Sequence, residues 1–343
     1  MSTAFAPGAV RPPFFLLMGL PDDARVRLEA AAIDKPPVMK IPGSLQVLPL
    51  PGERMPGPEI HFGSDRLSIQ TQLPRVPCIN CMADPDVHRK ALGQASMFMA
   101  QMGTPCLNHP DAVLRNGRDS TAHLLAGING LQVPRTIKVH VTSRAALWQA
   151  MEDAGVRFPV VARMAGSQAA LGTARLDSTQ DWEALNPLPW AGRDMYLTEH
   201  AADADAGGSY RHLRLAVVGR EVLPCYRVET RNWLLRPEEI PAAVAGREKQ
   251  WMDAFARDVL PGWHGPLMEV AARLELDCFS IDGSLRPDGS LLLVDVNAGG
   301  PAQQDMRRVP KLVDAVRRLL AAPASWRHQP VPAVPGSPRP AAQ

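Results

Sequence analysis

The sequence predicts a protein that combines α/β and α+β architecture, and three stretches predict it. From Val76 to Asn108 an apolar strand, an amphipathic helix and a second short strand follow one another, the order of a small α/β unit. From Ile137 to Glu199 several strands surround a single capped helix. From Tyr210 to Asn297 two strand pairs turn about Gly219 and about Pro287-Asp288-Gly289, as antiparallel hairpins do.

The elements follow in order. Residues 1–75 are rich in Pro and Gly, and predict a helix over Pro21 to Ile33 and a few short strands. Val76 to Asn80 reads as a strand, within an apolar stretch that extends to Met82. Asp84 caps a helix with Pro85 at its first position, running to about Met102 with Leu92, Ala95, Ser96 and Met99 inward. Pro105 to Asn108 is a short strand, and Arg118 to Ile128 a helix ended by Gly130. Ile137 to Val141 is a strand; Ser143 caps a helix over Arg144 to Ala154, closed by Gly155. Strands follow at Phe158 to Arg163, Thr173 to Leu176 and Met195 to Glu199, and an acidic, Gly-rich turn at Asp203 to Ser209. Tyr210 to Val218 and Glu221 to Val228 pair as a hairpin. Glu238 to Val259, Pro266 to Leu274 and Pro310 to Ala321 are helical, and the Pro-rich tail 323–343 is expected to be disordered.

Composition narrows the function classes. At 343 residues the chain is long enough for two or three packed lobes. A hydrophobic content of 45% with 21% charged residues is ordinary for a soluble globular protein. The net charge of +2 gives no electrostatic reason to expect nucleic acid or a membrane as partner. No apolar run approaches the roughly 18 residues that span a bilayer, so a cytoplasmic protein is expected. Phe14 to Met18 is too short for a signal sequence and lacks its basic flank and cleavage site. The five cysteines are scattered and odd in number; Cys78-Ile-Asn-Cys81 lies in a strand with no second ligand pair, which favours buried thiols. There is no GxSxG elbow, no GxxxxGK[ST] loop and no HExxH spacing among the histidines. The seven Trp and 14 Met are scattered, as core and pocket walls are, rather than arrayed as a stacking platform.

Chemistry concentrates at Leu276 to Gly300. One strand delivers Asp282, a turn reverses the chain, and the next strand delivers Asp295 and Asn297, two apart and on one face. Three oxygen-bearing side chains converging at an apolar sheet's rim suit a hard cation such as Mg²⁺, which shares its shell with nucleotide phosphates. From the hairpin alone, a metal site and merely solvated acids stay equally open.

The order acid, then acid-x-Asn on the next strand, resembles the metal-binding end of the ATP-grasp superfamily of carboxylate–amine ligases. Asn108-His109-Pro110-Asp111-Ala112-Val113, Gly117-Arg118-Asp119 and Val133-Pro134-Arg135-Thr136 look like a bacterial ATP-grasp subgroup of mostly unassigned substrate. The resemblance spans about residues 76 to 320. It implies an ATP-grasp fold: a pre-ATP-grasp α/β domain over 76–135, an N-lobe over 136–200 and a C-lobe over 201–322. It implies ATP and Mg²⁺ as cofactors, the metal held by Asp282, Asp295 and Asn297. Asp295 stands where the family most often has Glu.

The other roles are also implied by the resemblance. Arg163 would touch phosphates, with Ser167 in a phosphate loop, GSQAALG, that is poorer in Gly than is usual. Glu199 would lie at the adenine hinge, with Asp203 or Asp205 as looser ribose candidates. Arg118 or Lys138 would be the first nucleotide-contacting base. Arg214 and Arg227 would stabilise the reacting carboxylate, with Arg231 and Asn232 assisting. The activity implied is ATP-dependent ligation of a small-molecule or peptide carboxylate to an amine through an acyl phosphate. A degenerate binding or regulatory protein and a small-molecule kinase on the same fold stay open, as does a homodimer.

Overall fold

The computed structural model describes residues 14–29, 38–41, 43–55, 57–65, 73–167, 172–201, 204–205, 207–240, 246–286 and 288–328. The first elements among the described residues are β1 (Phe15–Gly19), β2 (Arg27–Glu29), β3 (Val38–Lys40) and β4 (Glu59–Phe62). β5 (Cys78–Asn80), α1 (Arg89–Met102) and β6 (Cys106–Leu107) follow. β1 lies between β4 and β5 in a parallel sheet of order β4-β1-β5-β6, and β2 pairs with β3 in a separate ribbon. A buried parallel sheet needs apolar strands, and Phe14 to Leu17 supply one, all 8% exposed or less.

Two expectations fail together here. No helix forms over the described part of Pro21 to Ile33: Asp22 and Asp23 lie in a turn, and residues 30–33 are outside the described residues. The Asp22 carboxylate instead accepts from the backbone N–H groups of Arg89 (3.0 Å) and Lys90 (3.2 Å). α1 therefore starts at Arg89, capped from a distant part of the chain. Pro85 to Val87 form a turn, and Asp84 accepts from the N–H of Asp86 (2.9 Å). Leu92, Ala95 and Met99 are buried as the helical spacing requires, with Ser96 half-buried beside them.

After α2 (Pro110–Leu114), α3 (Arg118–Leu125) and β7 (Leu131–Gln132) comes an antiparallel sheet of order β10-β9-β11-β8. Its strands are β8 (Thr136–Val141), β9 (Val160–Met164), β10 (Thr173–Leu176) and β11 (Arg193–Glu199), with α4 (Arg144–Asp153) between β8 and β9. Ser143 caps α4 as expected, its Oγ accepting from the N–H of Ala146 at 3.1 Å. The largest sheet has the order β13-β12-β14-β15-β7, from β12 (Tyr210–Val218), β13 (Glu221–Thr230), β14 (Cys278–Leu285) and β15 (Leu291–Asn297). α5 (Gly246–Asp258), α6 (Leu260–Leu274), α7 (Gln303–Arg308) and α8 (Pro310–Ala321) complete the chain's helices among the described residues. Pro237–Glu239 is a short 3₁₀ turn, and residues 241–245 of the expected 238–259 helix are outside the described residues. The result is the mixed α/β and α+β architecture expected from the sequence.

Three apolar cores hold these layers. One joins Phe15 and Leu17 to Leu213, Leu215, Phe279 and Ile281. A second joins Phe14 and Leu16 to Ala216, Tyr226, Leu312 and Val316. The first sheet and the largest sheet thus share both cores. The third core draws all its residues from Ile137 to Leu197.

The tail departs from expectation as far as His328. Trp326 is 1% exposed, its ring against Phe14 and its indole N–H donating to the Leu319 carbonyl at 2.9 Å. Arg327 pairs with buried Asp277 at 2.7 Å, and the His328 ring stacks on His109 at 3.5 Å. A large aromatic in an apolar socket outweighs the Pro-rich composition; residues 329–343 are outside the described residues. All five cysteines are buried and free, and burial pushes the thiols of Cys81 and Cys278 up to about 12. No described helix is long and apolar enough to cross a membrane.

At the register shift between Asp282 and Gly283, a Cβ on Gly283 would stand 2.4 Å from the Leu292 carbonyl oxygen. Gly283→Ala is expected to cost about 1–3 kcal/mol, the usual penalty of overpacking against groups that cannot yield. A urea unfolding midpoint equal to that of the wild type would contradict this.

Candidate nucleotide and metal site

β12, β14 and β15 assemble the polar cluster by register. Arg214 lies directly opposite Asp282, and Asp282 directly opposite Asp295. Residues opposed in an antiparallel pair share a face, and Asn297, two residues beyond Asp295, joins them. The three side chains expected to bind a metal therefore stand on one sheet face.

Each carboxylate already faces a guanidinium. Arg214 grips Asp282 with two parallel hydrogen bonds, Nε to Oδ1 at 2.7 Å and Nη2 to Oδ2 at 2.8 Å. Asp295 pairs with Arg118 at 2.5 Å and lies 3.7 Å from Arg163. Arg118 opens α3 and Arg163 sits on β9, so Asp295 is where the middle and largest sheets approach each other. Burial, then the charge of Arg118, lowers the Arg163 guanidinium to about 10, still protonated at neutral pH. Three guanidinium groups thus gather at the two carboxylates, with Asp305 3.6 Å from Arg214 and Asp84 and Asp86 lining the same groove; guanidinium groups suit phosphate oxygens. Asn297 Oδ1 accepts from the N–H of Gly299 at 2.8 Å, which fixes the side chain at the strand's end.

Two grooves meet at this ion pair. One is lined by Asp84 to Asp86, Asn116 to Arg118, Gly166, Ser167 and Asp295 to Asn297. The other is lined by Thr121, Pro134, Thr136, Thr198 and Val294. Arg118, Asp295 and Val296 belong to both. Ser167 thus faces the same groove as Asp295 and Asn297, its Oγ donating to the Met164 carbonyl at 2.8 Å. Residues 168–171 of the expected phosphate loop are outside the described residues.

Other expected residues are engaged elsewhere. Lys138 donates to Asp86 at 2.7 Å and lies 3.3 Å from Asp194, with Tyr196 donating to the same Asp86 at 2.6 Å. Burial alone would lower the Lys138 ammonium; the two carboxylates outweigh it and raise it. Of the two candidate bases, Arg118 reaches the carboxylate cluster. Glu199 accepts from the N–H of Arg157 at 3.0 Å and lines neither groove, although Thr198 beside it does. Asp205 closes its own turn by accepting from Gly207 and Ser209, and Asp203 is outside the described residues.

Arg227 is not brought to Arg214. A bulge at Cys225 sets Arg214 opposite Tyr226 and Arg227 opposite apolar Leu213, on the other face of the sheet. There Arg227 lies over the Trp251 ring and pairs with Glu229 at 2.7 Å. The expected pairing of both arginines at one reacting carboxylate is corrected by that one extra residue.

Sequence reasoning missed Asp305 on α7. It is 2% exposed, accepts from the N–H of Ala302 at 3.0 Å, and pairs with Arg308 at 3.2 Å and Arg214 at 3.6 Å. The signal available was an acid followed at helical spacing by an arginine just after the Asn297 strand.

Asp282, Asp295 and Asn297 offer hard oxygen donors, so their chemistry fits Mg²⁺. Among the described residues no cluster of three or more His, Cys, Asp or Glu could hold a metal; this set has two carboxylates and one carboxamide.

Solved structures similar to this chain include a RiPP-associated ATP-grasp ligase from Chryseobacterium gregarium in complex with ADP and a leader and core peptide. It is 15% identical with a TM-score of 0.46, over 71% of each chain. A RimK domain protein ATP-grasp from Sphaerobacter thermophilus is 14% identical with a TM-score of 0.48, over 77% of this chain and 89% of that one. The D-alanine-D-alanine ligase from Coxiella burnetii is 10% identical with a TM-score of 0.45, over 72% and 69%. No family model and no curated protein matches the chain.

Proposed function

We propose that this chain is an ATP-dependent carboxylate–amine ligase of the ATP-grasp type. The observation that carries the reading is Asp282, Asp295 and Asn297 on one face, with Arg118, Arg163 and Ser167 converging on it from other elements. The sequence resemblance assigns Asp282, Asp295, Asn297, Arg163 and Ser167 to Mg-ATP and offers Arg118 as an alternative to Lys138; Glu199, which it also assigns, lines neither groove.

Arg163 and Arg118 bind phosphate oxygens, where two N–H groups of one guanidinium can satisfy one phosphate. Arg214, held by Asp282, presents its positive charge to the carboxylate being activated. Mg²⁺, held by Asp282, Asp295 and Asn297, would supply neutralisation of the phosphate charge. The γ-phosphoryl group passes to a carboxylate oxygen, giving an acyl phosphate and ADP. The amine nitrogen then attacks the acyl carbon, the C–O bond to phosphate breaks, and the nitrogen loses a proton. The protein's part is positioning and charge neutralisation, so no side-chain nucleophile is required.

A degenerate nucleotide-binding protein is the second reading, favoured by the guanidinium partners that both carboxylates already have. Calorimetric titration of ATP separates the two. The ligase reading expects binding that requires Mg²⁺ and weakens by about 100-fold or more in Asp295→Ala/Asn297→Ala. A wild type that binds no nucleotide defeats it. Binding that ignores both Mg²⁺ and the double substitution supports the degenerate protein.

A further inference from the structure

We infer that Arg118 is a displaceable internal counter-ion for Asp295, so that a divalent cation is accepted only together with a nucleotide's phosphates. This rests on the nucleotide-binding reading above and adds an order of events to it.

The geometry is that of a plug. Arg118 Nη1 lies 2.5 Å from Asp295 Oδ1, and this pair forms part of both grooves. Asp282 is held on both oxygens by Arg214, and Arg163 stands 3.7 Å from Asp295. A bare cation entering here would meet Arg118, Arg163 and Arg214, with Asp282 and Asp295 already paired, Asp86 held by Lys138 and Asp305 by Arg308 and Arg214; Asp84 also lines the groove. Lys138 cannot take Arg118's place, because Asp86 and Asp194 hold it.

A phosphate changes the exchange. Its oxygens accept the same charge-assisted hydrogen bonds that Asp295 accepts, so Arg118 can pass from one anion to the other without losing a partner. Asp295 is freed as negative charge arrives beside it. The side chains of Arg118 and Asp295 are 25% and 18% exposed, so the pair is accessible from the cleft. Two ligands that each favour the same open arrangement must tighten one another by the same factor.

The test is Mn²⁺ uptake by the full chain, read from loss of the free-ion electron paramagnetic resonance signal with and without a non-hydrolysable ATP analogue, the Mn²⁺ held by the analogue in protein-free solution being subtracted. Wild type is expected to bind Mn²⁺ roughly tenfold or more tightly with the analogue than without it. Arg118→Ala should take up Mn²⁺ alone at least about tenfold better than wild type and lose most of the analogue's effect. Arg118→Lys, which keeps the charge, should take up Mn²⁺ alone no better than wild type, and thermal melts check that both variants fold. Equal uptake of Mn²⁺ alone by wild type and Arg118→Ala overturns the counter-ion role while leaving the ligase reading intact. If wild type takes up no Mn²⁺ even with the analogue, the ligase reading falls. The coupled acceptance of cation and phosphates falls with it.

Discussion

Asn108→Ala is expected to cost about 4 kcal/mol or more, a large fraction of the roughly 5–15 kcal/mol by which a typical protein is folded. Asn108 is 1% exposed and its carboxamide serves four backbone groups. Its Nδ2 donates to the carbonyls of Cys278 (2.5 Å) and Ala298 (2.9 Å), while Oδ1 accepts from the N–H groups of Asp277 (3.0 Å) and Cys278 (3.1 Å). Alanine leaves all four without a partner, at about 1–3 kcal/mol each when buried. The backbone adds to this, since Asn108 has φ 41°, a conformation Asn tolerates better than Ala. Urea unfolding monitored by circular dichroism measures the loss. A deficit below about 1 kcal/mol would mean that water replaces the carboxamide and that this junction is looser than the hydrogen bonds imply.

Arg327→Ala should destabilise by about 3–5 kcal/mol at neutral pH, because it strands a buried carboxylate. Asp277 is 2% exposed and accepts from Arg327 twice, from the backbone N–H at 2.8 Å and from Nη1 at 2.7 Å. Burial already raises the Asp277 carboxyl above its ordinary value despite the charge of Arg327. Removing that charge raises it further. A carboxyl whose folded-state pKa lies above its unfolded one contributes its stability below the unfolded value, near 4, and loses it as pH rises through the folded value. The deficit of Arg327→Ala relative to wild type should therefore grow between about pH 4 and pH 7. Asp277→Asn/Arg327→Ala, with nothing left to titrate at that position, should lose this growth, its deficit relative to wild type holding or shrinking slightly over the same range because wild-type Asp277 is itself raised. A deficit of Arg327→Ala that does not change with pH would place its cause in lost packing rather than in the stranded charge.

What was legible in the sequence follows from how local each signal is. The spacing of Asp295 and Asn297 and the turn before them put three oxygen donors on one face, because strand alternation needs no partner to be read. The Ser143 cap and the limits of β10, β12 and α8 were legible for the same reason. Features that depend on contacts between distant segments were hidden. α1 starts at Arg89 because Asp22, 67 residues away, caps it. Arg227 faces away from Arg214 because one extra residue at Cys225 turns the strand over, and no residue type there announces a bulge. Trp326 looked like part of a Pro-rich tail, since nothing nearby in sequence shows the socket beside Phe14. Nothing local separates Arg118 from Lys138, because Asp86 and Asp194, which hold the lysine, are 52 and 56 residues away in sequence.

The third core has a consequence for how this chain can be taken apart. Its residues all lie between Ile137 and Leu197, whereas the segments before and after are fused through two common cores. The chain enters this lobe at Thr136 and leaves at Thr198, which pair across β8 and β11 with their hydroxyls 3.1 Å apart. A lobe with adjoining ends and a private core has the form of an insertion into an otherwise continuous host. Residues 136–199 are therefore the piece to express alone, or to replace by a short turn. A cut after residue 135 that discards everything downstream would instead split two cores and leave neither half foldable.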